Sequence, residues 1–95
     1  MSMKEAYQQK IEAELNEWKA EIDKLKAKAD KAEADKKVKY YEAIEDLRVK
    51  QDVAREKIEE LKGAGEDAWE DLKSGVELAG ASLKDAMSSA MSRFK

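Results

Sequence analysis

Carboxylates are the only abundant reactive groups in this chain. Twenty-two Asp and Glu stand against 19 Lys and Arg, with no His and no Cys. Paired acids do general acid–base work only when two of them converge on one substrate atom. Glu59-Glu60 and Glu66-Asp67 are adjacent in sequence, so on a helix each pair diverges. Glu-rich helical bundles hold di-metal sites through Glu-x-x-His, and the chain has no His to complete that motif. Zinc and the softer transition metals lose their usual ligands for the same reason. Ser74, Ser82, Ser88, Ser89 and Ser92 have no imidazole to act as base. Gly63-Ala64-Gly65 lacks the spacing, the lysine and the preceding strand of a phosphate-binding loop. Tyr40-Tyr41 has the rings to stack on a base or ligand, but one Tyr in an apolar stripe and one beside it accounts for both. The residue types therefore point away from catalysis, with no cofactor and no metal, and toward contact surfaces built on helices.

Composition agrees. Charged residues make up 43% of the 95 and aromatics 6%, with four Gly and no Pro. An Ala, Glu, Lys and Leu-rich chain of this kind is typical of coiled coils and long helices. High charge with few aromatics also fits disorder, and only periodicity separates the two. A net charge of −3 offers no basic excess to displace counterions from phosphates, which argues against nucleic acid as a partner. No run approaches the length of a transmembrane span, and MSMKEAYQQK has no apolar core of a secretory signal. The expected location is cytoplasmic, or peripheral to a membrane if the chain meets lipid.

The elements that position these side chains start at Ser2-Met3-Lys4-Glu5, which fits a capping box. Apolar residues then alternate four and three apart at Ile11, Leu15, Trp18, Ile22 and Leu25, the seam of a coiled coil. The seam thins over residues 30–39, where Lys36 and Lys39 occupy expected core places. It resumes, slipped by one, at Tyr40, Ile44, Leu47, Gln51, Ala54 and Ile58. Eleven residues from Ala29 to Tyr40 absorb the slip as a stutter in a continuous helix. No Gly, Pro or Asn marks a break there, and Glu33–Lys37 and Asp35–Lys39 are favourable i,i+4 pairs. Residues 1–62 therefore read as one heptad-patterned unit, helical from residue 3 and about 90 Å long. Gly63-Ala64-Gly65 reads as a hinge, with Gly63 a candidate left-handed C′ residue. A helix continuing through the glycines is the alternative.

Beyond the hinge the period changes. From Ile58 the chain cuts into IEELKGAGEDA, WEDLKSGVELA, GASLKDAMSSA and MSRFK. Leu61, Leu72, Leu83 and Phe94 recur at one place, Lys62, Lys73, Lys84 and Lys95 at the next, and Ala68, Ala79 and Ala90 at the last. Eleven residues make three turns, so each place runs nearly straight along a helix. Trp69, Val76 and Met87 join the leucine line in a wide apolar arc over residues 66–95, bordered by lysines. Such an arc packs on other helices, or lies on an apolar surface with its lysines snorkelling.

This pattern resembles the eleven-residue repeats of exchangeable apolipoproteins and of group-three late-embryogenesis-abundant proteins, over about a third of the chain. The first resemblance implies reversible lipid binding, and the second a hydrophilic chain that folds on drying or on a membrane. The whole chain, through KIEAELNEWKAEIDKLKAKADKAEAD and KIEELKGAGEDAWEDLKSGVELA, resembles small uncharacterised bacterial coiled-coil proteins, a likeness that carries no known activity.

The sequence thus predicts an all-α, non-enzymatic structural or interaction protein: a long coiled-coil-type helix, a Gly hinge and a second amphipathic helix. A lone 60-residue helix cannot bury its own seam, so a homo-oligomer is expected. The assembly seam is Ile11, Leu15, Trp18, Ile22, Leu25, Tyr40, Ile44, Leu47 and Ile58. A second contact surface for a protein partner or lipid is Leu61, Trp69, Leu72, Val76, Leu83, Met87 and Phe94. The alternative is a peripheral lipid-surface or stress-protection protein acting through residues 58–95.

Overall fold

A rod of about 90 Å is not what forms. The computed structural model describes residues 2–94 and measures 51 × 19 × 18 Å. It contains three helices, α1 (Met3–Asp30), α2 (Ala34–Gly63) and α3 (Trp69–Arg93), and no strand among the described residues. The chain is all-α. The helices run up, down and up, so α2 lies antiparallel to both neighbours.

The first departure from the sequence reading is a turn at residues 31–33, inside the stretch read as one helix. No special residue makes it: every non-glycine φ in the described chain is negative. Lys31 is still near-helical at φ −94°, ψ −6°, and Glu33 is extended at φ −64°, ψ 151°. Amides of Lys31 and Ala32 reach back to the carbonyls of Lys28 and Ala29 at 3.2 and 3.1 Å. Lys36 and Lys37 donate to the Glu33 carbonyl at 3.0 and 2.8 Å and start α2. The physical reason for the turn is tertiary. Folding back at the thin part of the seam lets the two seam halves bury one another.

The second connection spans residues 64–68. It falls at the expected glycines, but without left-handed geometry: no glycine has positive φ, and α2 ends on Ala64 at φ −80°, ψ 147°. α3 begins at Trp69 rather than 66, so Glu66 and Asp67 lie in the connection, and Glu70 and Asp71 supply the first-turn acids.

Two continuous patches form the core. One gathers Ile22, Leu25 and Ala29 of α1, Ala43, Ile44, Leu47 and Ala54 of α2, and Leu83, Met87, Ala90 and Phe94 at the α3 end. The other gathers Ile11, Ile58, Leu61, Trp69 and Val76. Tyr40 stacks on Phe94, centroids 4.2 Å apart and planes 25° apart, tying the start of α2 to the end of α3. Its neighbour Tyr41 turns outward and donates its hydroxyl to Asp30 across the first turn. That bond holds the Asp30 carboxyl below its usual range and the Tyr41 phenol above its own.

Polar groups fix the ends. The Ser2 hydroxyl accepts from the Glu5 amide at 3.1 Å, the N-cap that the sequence signals. The Lys4 ammonium donates to the carbonyls of Lys62, at 3.0 Å, and Ala64, so a cation from α1 caps the negative end of α2. Lys62 stands 2.6 Å from a Glu12 oxygen, which with Glu59 keeps its ammonium protonated to higher pH than usual. The remaining ion pairs are exposed i,i+3 or i,i+4 contacts. Such pairs contribute at most about 1 kcal/mol each, so apolar burial carries the fold.

Two substitutions on α3 test this packing. Gly75 sits mid-helix, and a Cβ there meets only Lys57 Cδ at 3.9 Å. Gly75→Ala is expected to stabilise the chain by about 0.5–1 kcal/mol through helix propensity. Leu83→Ala, at a fully buried position, is expected to cost about 2–5 kcal/mol. Urea unfolding followed by far-UV circular dichroism reads both. A lower midpoint for Gly75→Ala means that α2 and α3 lie closer than described.

Candidate functional site: a cleft between the first and third helices

The two expected contact surfaces are largely spent inside the bundle. Of the assembly seam, Ile11, Ile22, Leu25, Ile44, Leu47 and Ile58 are buried, and Leu15, Trp18 and Tyr40 are half-buried against them. Of the second surface, Leu61, Trp69, Val76, Leu83, Met87 and Phe94 are buried and Leu72 is half-buried. The seam and the arc thus pack on each other within one chain. Trp69, which the repeat places at the border of the arc, is 5% exposed.

Between α1 and α3 lies a cleft of about 190 Å³. α1 brings Tyr7, Ile11, Glu14 and Trp18, spaced four, three and four apart and therefore on one face. α3 brings Val76, Glu77, Gly80, Ala81 and Lys84 at the same kind of spacing, and Ala54 and Ile58 of α2 form the floor. The lining is mainly apolar, and Lys10, Glu14, Glu77 and Lys84 stand around the rim.

Two aromatic side chains set the width. Tyr7 packs on Trp69 with centroids 5.8 Å apart and a tilt of 39°. Eleven residues on, about 16 Å along the helix, Trp18 rests on α3 where Gly80 has no side chain. A Cβ at Gly80 would lie 3.3 Å from Trp18 Cη2 and 3.8 Å from Cζ3. The rings act as props at either end, with smaller side chains between them. Had Gly80 carried a side chain, the Trp18 ring would have had to move.

The Tyr7 end is also electrostatically organised. The Lys73 ammonium lies 5.2 Å from the Tyr7 centroid, within cation–π range, and 4.0 Å from Glu77. The Tyr7 hydroxyl donates weakly to Glu77 at 3.5 Å. Burial first, then the charge and hydrogen bond of Glu77 and the charge of Glu14, push the Tyr7 phenol up to about 12. A phenol held protonated this firmly donates a hydrogen bond and does not act as a base near neutrality.

Sequence reasoning singled out Ile11, Trp18, Ile58 and Val76 of this lining, as core. It placed Ala54 in the seam, Gly80 in the arc, Lys84 on the lysine border and Glu77 beyond it, and passed over Tyr7, Lys10, Glu14 and Ala81. A signal for Tyr7 existed in its spacing of four from Ile11 and eleven from Trp18. None existed for the cleft, which depends on how α1 and α3 sit across α2. Among the described residues no cluster of three or more acidic side chains is placed to hold a metal ion, and no helix is long and apolar enough to cross a membrane. The chain matches no protein-family model, no curated protein and no solved structure.

Tyr7 gives a pH signature. Its pKa is raised in the folded state from an ordinary 10.0 to about 12. Its stabilising effect is therefore complete below pH 10 and is lost as pH rises toward 12. Tyr7→Phe should unfold with a shallower loss of stability than the parent across that window. Denaturation midpoints measured stepwise through alkaline pH check this. Identical slopes would place the Tyr7 hydroxyl in solvent.

Proposed function

We propose that the chain is a non-enzymatic interaction protein that receives a helix of a partner protein along the α1–α3 cleft, seating one large apolar side chain between Tyr7 and Trp18. The observation that carries this is the size and lining of the cleft. At about 190 Å³ it falls below the several hundred Å³ typical of small-molecule and cofactor sites. It suits a single anchoring side chain of the kind that dominates protein interfaces. An apolar floor with mixed charges at the rim is also how helix-in-groove sites are built. Self-association through the seam, as the sequence suggests, does not have this support, because the seam already has its partner.

A second reading, binding to a lipid surface through residues 58–95, rests on a different observation. Gly63 ends α2 and Gly65 lies in the second connection, both with open space around them, and the arc of α3 faces inward. Lipid binding would require α3 to swing out about residues 64–68 and expose that arc.

One pair of experiments separates the readings. A photoreactive residue replacing Ala81, exposed on the cleft rim, should give a discrete protein adduct in living cells. The same residue at Val49, on the outer face of α2, should not, and Trp18→Ala should abolish the Ala81 adduct. Equal labelling from both positions would overturn the cleft reading. Flotation with neutral and anionic vesicles tests the second reading, with Trp69 emission as reporter. A chain that stays at the bottom of the gradient with both vesicle types rules it out.

A further inference from the structure

The turn at residues 31–33 is poorly supported by its own residues. Its sequence, Asp30-Lys31-Ala32-Glu33-Ala34-Asp35-Lys36-Lys37, contains no Gly, Pro, Ser, Thr or Asn, and Ala and Lys are strong helix formers. Glu33 stands at the N-cap of α2 without a side-chain capping bond, where Ser, Thr, Asp or Asn is the usual choice. Lys31 is already near-helical, and Lys31 and Ala32 already make helix-like backbone bonds. Glu33 departs by a change of ψ from 151° to the helical value near −42°. A straight helix would also give the amides of residues 33–35 carbonyl partners four residues back. Within the turn only the Tyr41–Asp30 hydrogen bond opposes straightening, and two exchanged copies can form that bond between chains. What keeps it bent is the docking of α1 on α2 and α3.

That docking does not require α1 to come from the same chain. Lys4 on the end of α2, Glu12 on Lys62, Tyr7 on Trp69 and Trp18 on Gly80 are all contacts between α1 and the rest of the bundle. The α1 of a second copy makes the same contacts. The seam itself continues through the turn with the eleven-residue spacing that a straight helix accepts.

We propose that residues 31–33 are the hinge of a helix exchange, in which two copies straighten this turn into continuous helix and trade α1 to form a closed dimer. The partner is a second copy of this chain, and each half of the dimer rebuilds the three-helix bundle. Exchange keeps the bundle's contacts and trades two uncapped turns for two continuous helices, against the entropy of association. Monomer and exchanged dimer therefore interconvert with concentration, and slowly, because α1 must undock. The inference is independent of what binds the cleft.

Glu33→Pro tests it. The Glu33 φ of −64° matches the φ of proline, so the substitution keeps the turn, whereas proline in the middle of a straight helix is strongly disfavoured. The full chain, refolded at high concentration, is expected to show a dimer by sedimentation velocity, and Glu33→Pro to lower its population on the order of a hundredfold or more with helicity unchanged. Inserting Gly-Ser-Gly between Ala32 and Glu33, which relaxes the turn without proline, should likewise favour the monomer. Carbodiimide coupling of Glu12 to Lys62 then reports connectivity. In a mixture of isotopically light and heavy chains, the exchanged dimer gives heavy–light 12–62 crosslinks, and the monomer gives only links within one chain. A chain that stays monomeric after refolding at every concentration overturns the proposal. So does a dimer whose 12–62 links all lie within single copies, or a Glu33→Pro chain that dimerises like the parent.

Discussion

The apolar seam of α1 and α2 has to be covered, and the rest of the structure follows from how that is done. A solitary 60-residue helix leaves one stripe in water along its whole length, and helix propensity does not offset that exposure. Folding back at residues 31–33 brings Ile22, Leu25 and Ala29 together with Ala43, Ile44 and Leu47. Two helices still leave a trough, and the wider arc of α3 fills it. The narrow stripe and the wide arc are therefore complementary parts of one core. The change of period at Ile58 marks where the chain passes from the helices that make the trough to the helix that fills it.

The all-α class, the Ser2 cap, the connection at the glycines and the inward face of each helix are legible in the sequence, because each depends on spacing or on a local residue type. The turn at 31–33 is not. Its residues favour helix, and the decision to bend is made by apolar side chains far apart along the chain, such as Ile11 packing with Ile58 and Leu61. Periodicity identifies which residues need burial and is silent about whether the covering surface comes from the same chain. The oligomer expected from the seam and the compact bundle satisfy the same pattern.

The candidate site was hidden for a related reason. Its residues were visible as ordinary seam and arc positions, and one glycine gives the cleft its form. Trp18 occupies a seam position but is too large to sit wholly inside, and Gly80 provides the flat place on α3 where its ring can rest. Tyr7 against Trp69 does the same at the other end. Between the props the side chains fail to close the space, so apolar atoms of Ile11, Ile58 and Val76 line an opening to solvent. A cleft of this origin is set by packing mismatch, so its width is governed by Trp18 and Gly80 more than by the charges at its rim.

Burial and local preference pull against each other most plainly at residues 31–33. Along most of α1, α2 and α3 the helix formers, the apolar spacing and the packing agree, which is the condition for a single well-defined structure. At residues 31–33 the local residues favour continuing the helix while the seam on either side favours folding back. Intramolecular contact prevails because α2 and α3 are always within reach of α1, at an effective concentration that a second molecule matches only when the protein is crowded. A turn held by tertiary contact alone responds to anything that competes for those contacts. A residue that fits the turn and opposes the helix removes the competition at its source and leaves the core untouched.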